Sequence, residues 1–220
     1  MKILVFDTET TGLPTEKNAS IVDTDKWPHI VQLSYMYYDT EKKTTIQCGD
    51  DIIKIASDIV ISPESIAIHH ITPELCDQMG IPIKDSLDRF NGYLQDCDLV
   101  VGHNISFDKQ MIMVECIRNK MRQYFTTLGD KKPEYCTMKN GVKLCKIPVT
   151  RKEGEVYFKY PKLSELHEHL FSIVPKGLHN AMADVLICLR CYVYTQHHHD
   201  ISKDSSAFLQ AMYNAYCVEE

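Results

Sequence analysis

A chain of 220 residues, 44% hydrophobic and 25% charged, is long enough for one buried core and too ordinary in charge for a disordered protein. No apolar run is long enough to span a bilayer, which excludes a membrane-spanning helix and argues for a protein with no membrane partner. A formal net charge of -6 argues against a polyanion partner for the chain taken as a whole, and nine cysteines, an odd count, read as free thiols of an intracellular protein.

In chain order, MKILVFD enters a strand at once, which reads as the absence of a leader. Strands are predicted over residues 2–7, 30–39 and 44–48, the last two joined as a hairpin by the turn Thr40-Glu41-Lys42-Lys43. Between the first two runs a polar loop, 15–28, carries the only tryptophan, Trp27. Thr72 followed by Pro73 marks a helix start. A helix over 83–97 and a short buried strand over 98–102 follow. Phe107, Met111, Val114, Ile117, Met121, Tyr124 and Leu128 then recur three or four apart, which predicts one long helix with Ser106 as its N-cap. Residues 131–162 hold nine basic and three acidic residues, a local charge of +6, and read as a basic insertion that either tracks phosphates or is a solvated loop. Three more helices are expected over 163–171, 180–194 and 206–216. This order predicts an α/β fold, a mixed β-sheet with helices on its faces. The expected organisation is a single domain over 1–200, with 131–162 as its insertion, and a helical tail over 201–220 available to a partner.

Chemistry concentrates at the element ends. Asp7 and Glu9 close the first strand, and alternation puts both carboxylates on one face, about 7 Å apart along the chain. Such a pair needs a cation, a shared proton or solvent to offset its repulsion. Asp108 falls in the first turn of the long helix, where the helix dipole favours an anion. His179 is expected just before the later helix, with Asn180 as its N-cap and Asp184 on its first full turn, so that both lean towards one point. Converging carboxylates offer only oxygen, which suits Mg²⁺ or Mn²⁺ rather than zinc. Cys188 and Cys191 lie on a predicted helix and are more simply packed thiols.

The stretches FDTETTGLP, HNISFD and HNAMAD resemble the three motifs of the DEDDh 3′–5′ exonucleases, a family of ribonuclease H-like fold that includes polymerase proofreading subunits and stand-alone trimming nucleases. IHHIT and KLSELHEHLF resemble two further family segments, and the likeness covers most of residues 1–195. It implies hydrolysis of nucleic acid from the 3′ end, with two metal ions about 4 Å apart and release of nucleoside monophosphates. By the resemblance Asp7 bridges both ions, Glu9 and Asp184 serve the ion that holds the attacking water, Asp108 serves the ion near the leaving group, and His179 is the general base. An imidazole, which titrates near neutrality in water, suits that task. The same likeness places Thr10, Thr11, Gly12 and Leu13 against the terminal nucleotide, with Leu13 wedged on the last base, and puts His69, Asn104 and Phe107 on the substrate side. Phe107 is equally the start of the core stripe, and His69 equally a helix cap. Implied partners are single-stranded or frayed 3′ ends, DNA ahead of RNA, and a polymerase or repair protein.

Two departures stand out. His70 replaces the family's usual glycine, which costs some strain if its φ is positive. Cys136 stands where many relatives have aspartate. Two other readings remain open: a haloacid-dehalogenase-like phosphatase, which leaves His179 without a role, and a non-catalytic nucleic-acid-binding module tethered to a polymerase, which leaves the complete acid set without one.

Overall fold

The structure, a computed structural model, describes residues 1–152, 154–203 and 206–217. Its centre is a five-stranded sheet in the order β3-β2-β1-β4-β7. β1 (Lys2–Thr10), β2 (Ile30–Asp39) and β3 (Thr44–Ile52) form an antiparallel meander. Helices α1 (Pro63–His69), α2 (Pro73–Met79) and α3 (Ile83–Asp96) then lead to β4 (Leu99–Gly102), which lies parallel to β1. Next come α4 (Ile105–Arg118), the two-residue strands β5 (Thr126–Thr127) and β6 (Asp130–Lys131), and β7 (Glu134–Cys136), parallel to β4. α5 (Thr137–Cys145), the hairpin β8 (Pro148–Thr150) and β9 (Val156–Phe158), α6 (Leu163–Phe171), α7 (Ala181–His197) and α8 (Ala207–Cys217) complete the chain. Among the described residues no helix is long and apolar enough to cross a membrane.

Strand alternation separates two cores, as a sheet covered on both faces requires. Leu4 and Phe6 of β1 join Leu33, Tyr35, Phe90 and Met111 under α3 and α4. Ile3 and Val5 join Met36, Tyr38, Val185 and Leu189 under α7. The same parity governs the acids: Asp7 and Glu9 continue the α7 face, and Thr8 continues the α4 face.

The predicted long helix is shorter than its apolar stripe. α4 ends at Arg118, and Lys120 turns the chain into the left-handed region at φ 54°. Met121 and Tyr124 still pack on the core from a loop, while Leu128 sits in the β5–β6 turn, 96% exposed. Its N-cap is Asn104 in the left-handed conformation rather than Ser106. The loop over 15–28 is anchored rather than free. Trp27 is buried with its indole N–H bonded to the Ser20 carbonyl, and Arg118 donates to the carbonyls of Thr24, Trp27 and Pro28.

The basic segment divides. Its start supplies the edge strand β7 and α5, whose Gly141 lets the helix approach closely: a Cβ there would meet Pro161 at 2.9 Å. Lys132 donates to the carbonyls of Gln95 and Cys97, and Lys159 pairs with Glu165.

The described part of the tail packs on the domain. Leu209 is buried, and Tyr213 bonds to Arg190 of α7. Arg190 also stacks on Phe171 at 3.8 Å, donates to His167 and holds Asp200 through two bonds. Burial opposes ionisation of Asp200, but the bonds from Arg190 and Ser202 prevail and hold its pKa at about 2. Asp200→Ala leaves a buried guanidinium without its counter-ion. The expected cost is about 3–5 kcal/mol, read as a loss of melting temperature; a change within experimental error would show the pair to be incidental.

Candidate active site

β1 brings Asp7 and Glu9 to the α7 face, where Asp184 meets them. Carboxylate oxygens of Asp7, Glu9 and Asp184 all lie within 4.8 Å of one another. Asp184 is held there by the start of α7. Asn180 caps the amides of Met182 and Ala183, and Gln32 of β2, the register partner of Glu9, accepts from the amide of Ala181. Gln32 and Ser34 are two polar residues on one face of an otherwise apolar buried strand, and both bind Asp50. That interruption of the apolar pattern was the available signal for a positioning role.

Asp108 arrives from the opposite side of the sheet, on α4. Its Oδ1 accepts from both the amide and the hydroxyl of Thr8, at 3.2 and 2.8 Å. It therefore lies beside the three-acid cluster, tied to the even-numbered face of β1, close enough to perturb the others. His179 sits immediately before the N-cap, exposed, with φ 70°. It lines a cavity of about 520 Å³ together with Asp7 and Asp184.

The electrostatics are those of negative charge without a counter-charge. Burial pushes the carboxyl of Asp7 well above the usual range, with Asp108, Asp184 and Glu9 adding to it. Glu9 rises to about 8 through burial and then the charges of Asp184 and Asp108. Asp108 rises to about 7 by burial, against the bonds from Thr8. Asp184 also rises to about 7 by burial, against the His179 amide and with the charge of Asp108. Among the described residues, none of these acids makes an ion pair with Lys, Arg or His. The Oδ1 of Asp184 is buried with no hydrogen-bond partner. An unpartnered carboxylate oxygen facing two further carboxylates fits a hard divalent cation.

A second cavity, about 690 Å³, is lined by Glu9, Thr10, Thr11, Gly12, Leu13, His69 and Phe107 among others. Leu13 is 80% exposed at its rim, so its apolar side chain is presented to whatever enters. Thr10 and Thr11 hold the loop: the Thr10 hydroxyl donates to the Gly12 carbonyl, and that of Thr11 accepts from the His29 amide. His69 is buried. Its Nδ1 accepts from the Ile71 amide, which leaves Nε2–H to donate to the Thr10 carbonyl. Its structural role is to position Thr10. His70 adopts φ 60°, so the strain anticipated at this glycine-like position is present. Phe107 both lines the cavity and packs on the core, whereas Asn104 lines neither cavity.

His103 escaped notice in the sequence. Its Nε2–H donates to the Pro161 carbonyl at 3.1 Å, so Nδ1 accepts from the Thr137 hydroxyl at 2.9 Å. Burial lowers its pKa to about 4, keeping the ring neutral in that role. It ties β4 to the wall of the His179 cavity. Cys188 and Cys191 are buried in the α7 core, as expected of packed thiols.

A family model described as exonuclease, RNase_T, matches residues 4–192. Among solved structures, Escherichia coli exonuclease I in complex with a dT13 oligonucleotide is similar with a TM-score of 0.65 at 19% identity, over 90% of this chain and 42% of that one. Exonuclease I from Methylocaldum szegediense gives 0.64 at 19% identity, over 91% and 42%. A product-bound exonuclease I gives 0.65 at 19%, over 90% and 44%. The chain thus spans less than half the length of these proteins, and at such identity the likeness is one of fold. No curated protein sequence matches the chain.

Proposed function

The chain belongs to the RNase_T exonuclease family, with a ribonuclease H-like fold, and from that premise we propose that it is a metal-dependent 3′–5′ exonuclease releasing nucleoside monophosphates from single-stranded or frayed DNA ends. The observation that carries this reading is the uncompensated cluster of Asp7, Glu9 and Asp184, with Asp108 beside it, Glu9 lining one cavity and Asp7 and Asp184 another. Nothing in the family match supports the phosphatase alternative, and a purely tethering role leaves these buried acids without a purpose.

When bound, divalent cations would supply charge neutralisation at the scissile phosphate, Asp7, Glu9 and Asp184 holding one and Asp7 with Asp108 a second. The chain's own residues do the rest. The 3′-terminal nucleotide enters the cavity walled by Thr10 to Leu13 and Phe107, with the Leu13 side chain against its base. His179, exposed in the cavity that Asp7 and Asp184 line, takes the proton of the attacking water as the oxygen bonds to phosphorus and the bond to the 3′ oxygen of the preceding nucleotide breaks. DNA is favoured because E. coli exonuclease I, of the same fold, is bound to oligothymidylate. Eight cysteines, from Cys48 to Cys191, are free thiols, which supports an intracellular setting. A polymerase or repair protein is the partner class this activity suggests.

The direct test uses DNA and RNA oligonucleotides labelled at the 5′ end, with the 3′ end free or blocked. Stepwise shortening of free strands in Mg²⁺ or Mn²⁺, faster on DNA and halted by a 3′ block or chelator, is the expected result. Internal cuts, or inorganic phosphate released from monoesters with strands left intact, would overturn the reading.

A further inference from the structure

The β8–β9 hairpin is an elaboration that the catalytic chemistry does not use, and it is built unlike a solvated loop. Val156, Phe158 and Tyr160 follow at every second residue, so they share one side, and they are 61%, 51% and 58% exposed. Pro148, the register partner of Phe158, is exposed on the same side. The opposite side carries Tyr157, with the Arg151 guanidinium 4.8 Å from its ring centre. Arg151 also bonds Glu155 through both backbone and side chain, which fixes the tip. Lys159 extends the ladder by donating its amide to the Ile147 carbonyl. The hairpin therefore presents apolar and aromatic faces to solvent.

Two observations say what covers them. The row runs into the active site: Tyr160, Pro161 and Lys162 line the same cavity as Asp7, His179 and Asp184. The surroundings are cationic, since Lys143, Lys146, Lys152 and Lys162 are exposed and form no ion pair among the described residues. Exposed rings along a cationic track suit a strand with π-faced bases on a phosphate backbone. A neutral protein surface would leave the lysines unmatched.

We infer that this hairpin is a stacking platform for single-stranded nucleic acid, on which Phe158 and Tyr160 hold bases that precede the 3′ end while Lys162 neutralises the phosphate entering the cavity. The inference rests on the exonuclease reading for the direction of the strand only. It gives a use to Lys143, Lys146, Lys152 and Lys162, exposed cations without an ion pair among the described residues.

The test compares a dinucleotide, too short to reach the hairpin, with a long single strand and a blunt duplex. Phe158→Ala should raise the KM for the long strand relative to that for the dinucleotide by about five- to a hundredfold, the loss of one base stack. Phe158→Trp should retain the preference and Phe158→Leu should not, because area without a π-face is insufficient. Fluorescence anisotropy of the labelled strand in chelator gives the same ranking without turnover. There Phe158→Ala should keep the salt slope, and Lys162→Gln should lower it by roughly 0.7. An unchanged KM ratio and affinity, or a loss as large on the blunt duplex as on the single strand, would overturn the platform. If the wild type hydrolyses no substrate, the exonuclease reading falls, and the anisotropy series still decides the hairpin.

Discussion

His179→Ala is expected to lower turnover by about 10²- to 10⁴-fold, the usual contribution of a positioned general base. His179 lies outside the carboxylate cluster, at the mouth of the cavity that contains Asp7 and Asp184. The substitution should therefore leave cation affinity and oligonucleotide affinity near those of the wild type. The position adds a constraint of its own, because φ is 70°. His179→Asn removes the base but tolerates that backbone, and should show the same loss in turnover with no loss in melting temperature. Equal turnover in both variants and the wild type would take His179 out of the mechanism.

Asp7→Asn should reduce hydrolysis below detection and, at the same time, make the cation-free protein as stable as the wild type or more so. Both expectations have one origin. Burial, and the charges of Asp108, Asp184 and Glu9 together, oppose ionisation of Asp7. An amide of the same shape removes a charge that the fold resists, and with it one of the oxygens proposed to hold a cation. A structural acid would behave oppositely: its loss would destabilise. Calorimetry in chelator alongside an oligonucleotide assay separates the two.

Much of this site follows from periodicities visible in the chain. Asp7 and Glu9 share a face because β1 continues to Thr10, and Asp184 reaches them because Asn180 caps α7 where the GLHNAMAD stretch places it. Asp108 is subtler. Its own helix dipole was legible, but its attachment to Thr8 was not, since that bond depends on α4 crossing the sheet opposite α7. The overrun of α4 has a similar cause. Met121 and Tyr124 remain core residues after the helix ends, so a stripe defined by burial alone cannot locate the break at Lys120. Gln32 and His103 were missed because each acts on backbone far away in sequence, at Ala181 and Pro161. The polar break in β2 marks Gln32 as unusual, but local spacing does not name the distant partner of either residue. The +6 charge of residues 131–162 was visible, but its division into an edge strand, a packed helix and an exposed hairpin needed coordinates.

A cation offsets repulsion among the four acids on this reading, and thermal melts across pH test that most directly. In chelator the folded acids hold protons up to about pH 7 to 8, whereas unfolded carboxylates lose theirs near pH ~4. In that window the folded state binds more protons, so raising the pH must lower stability. The wild type in chelator should thus lose melting temperature steadily from about pH 4 towards pH 8, more steeply than Asp7→Asn. Mg²⁺ at one hundred times its dissociation constant should restore about 2.7 kcal/mol, or roughly 5–10 °C for a domain of this size. Charge neutralisation by a cation should make the wild-type curves in chelator and in Mg²⁺ diverge with rising pH. Curves that coincide at every pH, with Asp7→Asn markedly less stable than wild type in chelator, would contradict it.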